Sequence, residues 1–353
     1  MRTPIGLICA GVLLVAGCAA VGPPTVTRDR FDYVTTISES WKRQTLLNLL
    51  KVRYADAPVF MDVSSVISSY SLEGEVRLFG EYAPPGRGDT VAGVSGTGRY
   101  ADKPTITYTP LTGDKFAKSL MAPIPISGIL FLLQSGYPAD IVLRVCVNSI
   151  NGIQNAYGGS GNPREGDPKF RELMAAMQAS QAEGIVGFRA RTTSSGQTVV
   201  MFIRPPNDAA AAASQRVRSL LGLAPNEREF SVESGSFPEN DREIAILTRS
   251  ILQVMVDLAS AVDVPAADVA EGRVFSPQWS AEQQRMFPPL LNVRNGPAAP
   301  PDAYAAVPYR NQWFWIEDRD QRSKQVMSFL MVMFSLTEGA PAQSAPVVTV
   351  PAR

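Results

Sequence analysis

From Ile5 to Val15 the chain is apolar except for Gly6 and Gly11, and the run closes on Val15-Ala16-Gly17-Cys18. A helix needs about 20 apolar residues to cross a bilayer, so this run is too short to be a span. With Arg2 beside the start it has the three parts of a secretory leader: a positive end, an apolar middle and small residues before the cut. The fold must then be built from the residues after Gly17.

That remainder is 336 residues, enough for one large domain or two ordinary ones. Hydrophobic residues make up 45% and charged residues 19% of the chain, the balance of a globular protein rather than a disordered one. Losing Arg2 with the leader leaves 32 basic against 33 acidic residues, so no basic field for nucleic acid is expected. The chain has no histidine. Ser-His-Asp and Cys-His catalysis, histidine-ligated zinc and histidine pH switches are therefore excluded, while carboxylate and Ser-Lys chemistries survive. Of three cysteines, Cys9 lies in the leader and Cys18 at its end, leaving Cys146 within the apolar run Ile141 to Val147. It reads as a small buried hydrophobe.

Periodicity predicts a mixed α+β fold of helices and mainly antiparallel strands with long irregular loops. A helix over 31–54 carries Leu46, Leu47, Leu50 and Tyr54 on one stripe and stops at Ala57-Pro58. Residues 59–82 are β-rich, with Glu73-Gly74-Glu75 as a hairpin turn, and 84–103 read as a mobile Gly, Pro and Ser loop. Pro104 to Pro110 is a strand with Ile106 and Tyr108 on one face; a short helix opening at Thr112 ends at Pro123; β-branched residues favour strand over 138–150. A helix over 168–183 stops at Gly184, and a hairpin turns at Ser194-Ser195-Gly196-Gln197. An Ala-rich helix runs from Pro205 to about Leu221, strands cover 229–233 and 243–247, and a helix continues to Val262. Residues 272–310 look largely irregular, Trp313 to Ile316 a strand, 323–336 a helix, and 346–350 at most a short last strand. The expected organisation is a leader over 1–17, a lipidated extended tether over 18–30, and α+β regions over 31–204 and 205–353 that can pack as one domain.

Local motifs point to little chemistry. Gly93 to Gly98 and Gly158 to Gly161 lack the strand-to-helix setting and the Gly-Lys-Ser/Thr ending of phosphate loops, and read as flexible loops. Glu317, Asp318 and Asp320 form the densest acidic cluster, beside Trp313 and Trp315, so glycoside hydrolysis, sugar stacking or a hard cation are the chemistries to weigh there. The structural alternative has Asp320 favouring the start of the following helix. Val326 to Phe334 is apolar on nearly every side and belongs in a core. Arg249-Ser250 with Gln253-Val254-Met255 and Arg322-Ser323 with Gln325-Val326-Met327 suggest a duplicated strand–helix unit.

Val15-Ala16-Gly17-Cys18 resembles the lipobox of bacterial lipoproteins. The resemblance implies cleavage before Cys18, acylation of its thiol and amine, and permanent anchoring in membrane lipid. Ala19, in place of an aspartate, implies the outer membrane. Leu46 to Pro58, Ser149-Ile150-Asn151-Gly152, and Trp313 to Asp318 with Ser323-Lys324 together resemble an uncharacterised family of Gram-negative lipoproteins, which brings no activity with it. The expectation is a non-catalytic envelope lipoprotein with a structural or protein-interaction role, an envelope protein as partner and no cofactor. The alternative is a carboxylate-dependent glycan hydrolase or carbohydrate binder.

Overall fold

The computed structural model describes residues 23–67, 70–81, 91–102, 105–110, 113–159, 163–193, 196–204 and 208–337. The leader, Cys18 and the 346–350 tail lie outside them. The architecture is α+β, and the chain divides into two compact units, one drawn from residues 1–40 and 60–111, the other from 41–59 and 112–353.

Helix α1, Pro23–Arg53, belongs by its first part to one unit and by its second to the other. It starts eight residues before the expected 31, because Pro23 and Pro24 stand in its first turn, where no backbone N–H is needed. Pro23 and Pro24 thus begin a helix rather than continue an extended tether. At the other end Ala55 takes a left-handed φ of 58°, and the Asp56 amide bonds the Lys51 carbonyl at 2.7 Å, closing the helix one residue before the expected 54.

In the first unit, β1 (Met61–Ile67) pairs antiparallel with β4 (Thr105–Pro110), and β2 (Tyr70–Glu81) with β3 (Val91–Asp102). Glu73-Gly74-Glu75 is not a turn: Gly74 faces Gly98 in the middle of the ladder, and the reversal comes after Glu81, which pairs with Val91. Most of the expected 84–103 loop is likewise strand. Its glycines weaken intrinsic β preference, but a continuous partner satisfies every second backbone group and overrides it.

In the second unit, after α2 (Gly113–Met121), α3 (Ile126–Gln134) leads to α4 (Ala139–Cys146), and the chain becomes extended only in β5 (Val147–Ile150). The expected strand over 138–150 is therefore mostly helix, since Pro138 opens a turn whose inward residues are buried whatever their branching. Asn151 and Gly152, both at positive φ, make the two-residue reversal into β6 (Ile153–Gln154). Helix α5 (Pro168–Ala182), capped by Asp167, precedes the hairpin β7 (Val186–Thr193) and β8 (Gly196–Ile203). Helix α6 (Asp208–Leu221), β9 (Glu229–Ser234), β10 (Glu243–Thr248) and α7 (Ile251–Ser260) come next.

Strand order is β6-β5-β10-β9-β8-β7, antiparallel except for β9 beside β10. This sheet runs across residue 204. Leu130 and Leu133 of α3 and Leu173 and Met177 of α5 meet Met201 and Ile244 of the sheet in its core.

The remainder of the unit holds α8 (Ala266–Ala270), α9 (Ala281–Met286), β11 (Arg294–Gly296), β12 (Ala303–Tyr309), β13 (Gln312–Glu317) and α10 (Gln321–Thr337). Residues 272–310 are thus less irregular than expected: β13 recruits β11 and β12 on its two sides, and pairing supplies order that their Pro- and Asn-rich composition does not. Phe314 and Ile316 are fully buried on one face of β13, matching the expected strand alternation. In α10, Val326, Met327, Phe329, Leu330 and Met333 are core, while Ser328 and Val332 lie on an exposed stripe. The proposed duplication fails on geometry. Ser250 is the N-cap of α7 and Arg249 is fully buried, whereas Asp320 caps α10, Ser323 sits inside its first turn and Arg322 is exposed.

Candidate functional site

The most unusual chemistry of the second unit lies beneath its surface. Arg249 directly follows β10 and is fully buried; its guanidinium donates to Asp257 Oδ2 at 2.8 Å, to the Ala156 carbonyl at 2.6 Å and to Asn148 Oδ1 at 3.2 Å. The capping box of Ser250 and Gln253 fixes the first turn of α7, and Asp257 comes two turns later, inside the apolar stripe of Val254, Met255 and Leu258. Asp257 Oδ1 accepts the Gly158 amide at 2.6 Å, and Oδ2 lies 3.5 Å from Arg144 of α4. Arg144 also donates to the Ala156 carbonyl at 3.0 Å and stands over the Phe287 ring. Burial pulls the Arg144 guanidinium down to about 10 against the pull of Asp257, which leaves it charged at neutral pH.

Two arginines meet one carboxylate here, and a third stands near them. Arg164, lowered chiefly by burial, donates to Asn148 Oδ1 at 3.1 Å and joins Arg249 against the Tyr157 ring. Backbone carbonyls, Asn148, Asn155 and two aromatic faces, those of Tyr157 and Phe287, carry the cationic excess. Such a cluster costs several kcal/mol per ion to desolvate, and it survives only because nearly every donor has an acceptor. It also changes the reading of Gly158 and Gly159. Both are buried, and a Cβ on Gly158 would stand 1.8 Å from Ser260 Oγ, so this end of the expected flexible loop is fixed to α7.

Arg144 and Asp257 reach the wall of a cavity of about 580 Å³, which Arg53, Asp263, Trp279 and Gln284 also line. Arg53, at the C-terminal end of α1, donates through Nη1 to the Phe275 carbonyl, and burial lowers its guanidinium. Its Nε is buried and has no hydrogen-bond partner. A second cavity, of about 470 Å³, is lined by Tyr137, Tyr304, Gln321, Lys324 and Ser328.

The acidic cluster read from sequence is distributed among separate partners. Glu317 pairs with Arg294 at 3.1 Å and Asp318 with Lys324 at 2.7 Å. Asp320 accepts the Ser323 amide at 3.0 Å and its hydroxyl at 2.7 Å, with Asn292 at 2.8 Å. Burial pushes the Asp320 carboxyl up, but those bonds outweigh it and hold it below its ordinary value. This is the helix-start arrangement. Trp313 is 36% exposed, while the Trp315 ring lies over Gly296. Among the described residues no group of three or more Cys, Asp or Glu is placed to hold a metal ion. Cys146 is fully buried, and its thiol is pushed up to about 12 by that burial.

Sequence reasoning missed the arginine cluster. The available signal was charge in the wrong place: Arg144 inside Ile141 to Val147, and Asp257 between buried positions of α7. No family model, curated protein or solved structure matches the chain.

Proposed function

We propose that this chain is an envelope lipoprotein, acylated at Cys18 and held in the outer membrane, with a non-catalytic structural or protein-interaction role and an envelope protein as partner. The observation that carries the reading is Val15-Ala16-Gly17-Cys18 closing an apolar run too short to span a bilayer. It is supported by the engagement of Glu317, Asp318 and Asp320 in three separate structural contacts, which takes from the glycan-hydrolase alternative the carboxylates it named. Intact-mass analysis of the native protein tests it. The expected species begins at Cys18 and carries acyl chains; a retained leader or a free thiol at Cys18 overturns it.

The unpartnered Nε of Arg53, in a cavity that Arg144 also lines, favours one further reading of the body: the cavity binds a small anion through a carboxylate or phosphate group. Citrate and inorganic phosphate should raise the melting temperature of the protein in a saturable way, and Arg53→Gln should remove the effect. Equal shifts in both proteins refute the reading.

A further inference from the structure

β2 and β3 pair in one unbroken register from Tyr70 opposite Asp102 to Glu81 opposite Val91, and β1 with β4 continues that register from Ile67 opposite Thr105 to Ser65 opposite Thr107. Residues directly opposite share a face of a ribbon, and successive residues alternate between faces. One face then holds Tyr70, Leu72, Val76 and Leu78 from β2, with Val94 and Tyr100 from β3 and only small residues between. The other holds Glu73, Glu75, Arg77, Glu81 and Arg99, with Phe79 and Val91 toward its far end. Of the charged residues in the two strands, Asp102 alone falls on the apolar face, at its end beside Tyr70.

That apolar face is open at its centre, where Gly96 is exposed and a Cβ built on it would meet only the Glu75 carbonyl, at 3.9 Å. Further along the ribbon Ile106 is 41% and Tyr108 54% exposed. Among the described residues no third strand pairs with either edge. A lone two-stranded ribbon is marginal in water, and unpaired edges are templates for another strand.

Length decides what covers it. Strands of 12 residues rise about 40 Å, or about 28 Å along the normal when tilted by about 45°, close to the apolar band of a membrane barrel. Alternation of apolar and charged residues, broken only at Phe79 and Val91 and with Tyr70 and Tyr100 at one end of the apolar band, fits a strand with lipid on one side and water on the other. Hydrocarbon offers the two edges no hydrogen bonds, so they have to be closed by other strands. The partner available to both is another copy of the same hairpin, since β3 of one copy beside β2 of the next keeps every neighbour antiparallel, and a ring of such contacts closes.

We infer that the β2–β3 hairpin is a membrane-inserting element, contributed by each of several copies to one shared transmembrane β-barrel, with the Leu72–Val76–Leu78 face toward lipid and the Glu73–Glu75–Arg77 face toward a water-filled lumen.

Environment-sensitive dyes on single cysteines in the full-length protein test this, in vesicles of phosphatidylethanolamine and phosphatidylglycerol. Cys146 is buried, and the parent chain reports any labelling of Cys18, so a failure of the acylation reading is recorded separately. Dyes at Leu72, Val76 and Val94 should shift to the blue and be quenched by bilayer nitroxides, while those at Glu75 and Thr97 stay open to iodide. The detergent-extracted protein should sediment as an oligomer. Val76→Arg should lower the inserted fraction by roughly 30-fold or more, and Thr97→Arg should leave it unchanged. The inference is overturned if both faces remain open to iodide while the protein stays on vesicles, if the extracted protein is a monomer, or if the apolar face is already shielded without lipid.

Discussion

Asp257 shows how much one side chain can hold. It anchors Arg249, reaches Arg144 and takes the Gly158 amide, so the end of β10, α4 and the segment around Gly158 depend on it together. Removing one partner of a buried ion pair strands the other without solvent, which costs about 3–5 kcal/mol. Asp257→Ala should therefore lower the unfolding free energy by about that amount in denaturant titrations. A loss below about 1 kcal/mol would mean that water reaches these guanidinium groups, contrary to their burial. Nothing in local periodicity marks this residue. An isolated acid in an apolar stripe is ambiguous until the arginines, more than a hundred positions apart from first to last, are seen to converge on it.

At the scale of elements, helix ends were the most legible feature and strands built from poor strand formers the least. Gly184 follows the expected stop of α5, and Asp320 starts α10 through side-chain bonds that its position foretold. These signals are local, made by residues within a turn of each other. β3 was invisible for the opposite reason, since its glycines form a strand only because β2 lies opposite, and 139–146 was misread because β-branched residues tolerate a helix when its inner face is buried. The acidic cluster was seen, but its dispersal among Arg294, Lys324 and Asn292 needed tertiary structure.

The Asp320 cap gives a sharp element-level test. Its folded carboxyl titrates below the unfolded value near about 4, so its contribution is complete above that pH and is lost as pH falls through the folded value. Asp320→Asn keeps a capping oxygen and removes its charge, so it should cost about 0.3–1 kcal/mol at neutral pH. Urea midpoints of the two proteins should converge as pH falls below about 3.

For the whole molecule, the absence of histidine has a measurable signature. No side chain has an ordinary titration between about pH 5.5 and 7.5. The displaced groups stay outside that window as well: Arg144 comes down only to about 10, Cys146 is pushed up to about 12, and Asp320 lies below its ordinary value. Folded and unfolded chains then bind equal numbers of protons there, and stability is flat. Denaturant midpoints across the range should agree; a slope above about 0.5 kcal/mol would expose a titrating group that the described residues do not contain.

Gly158 constrains the history of the chain as well as its present shape. With Ser260 Cβ 2.5 Å from where a side-chain carbon at 158 would begin, even alanine at 260 leaves no room. Descendants of a common ancestor can change position 158 only after 260 has become glycine, so the two substitutions should be fixed in that order wherever both are found.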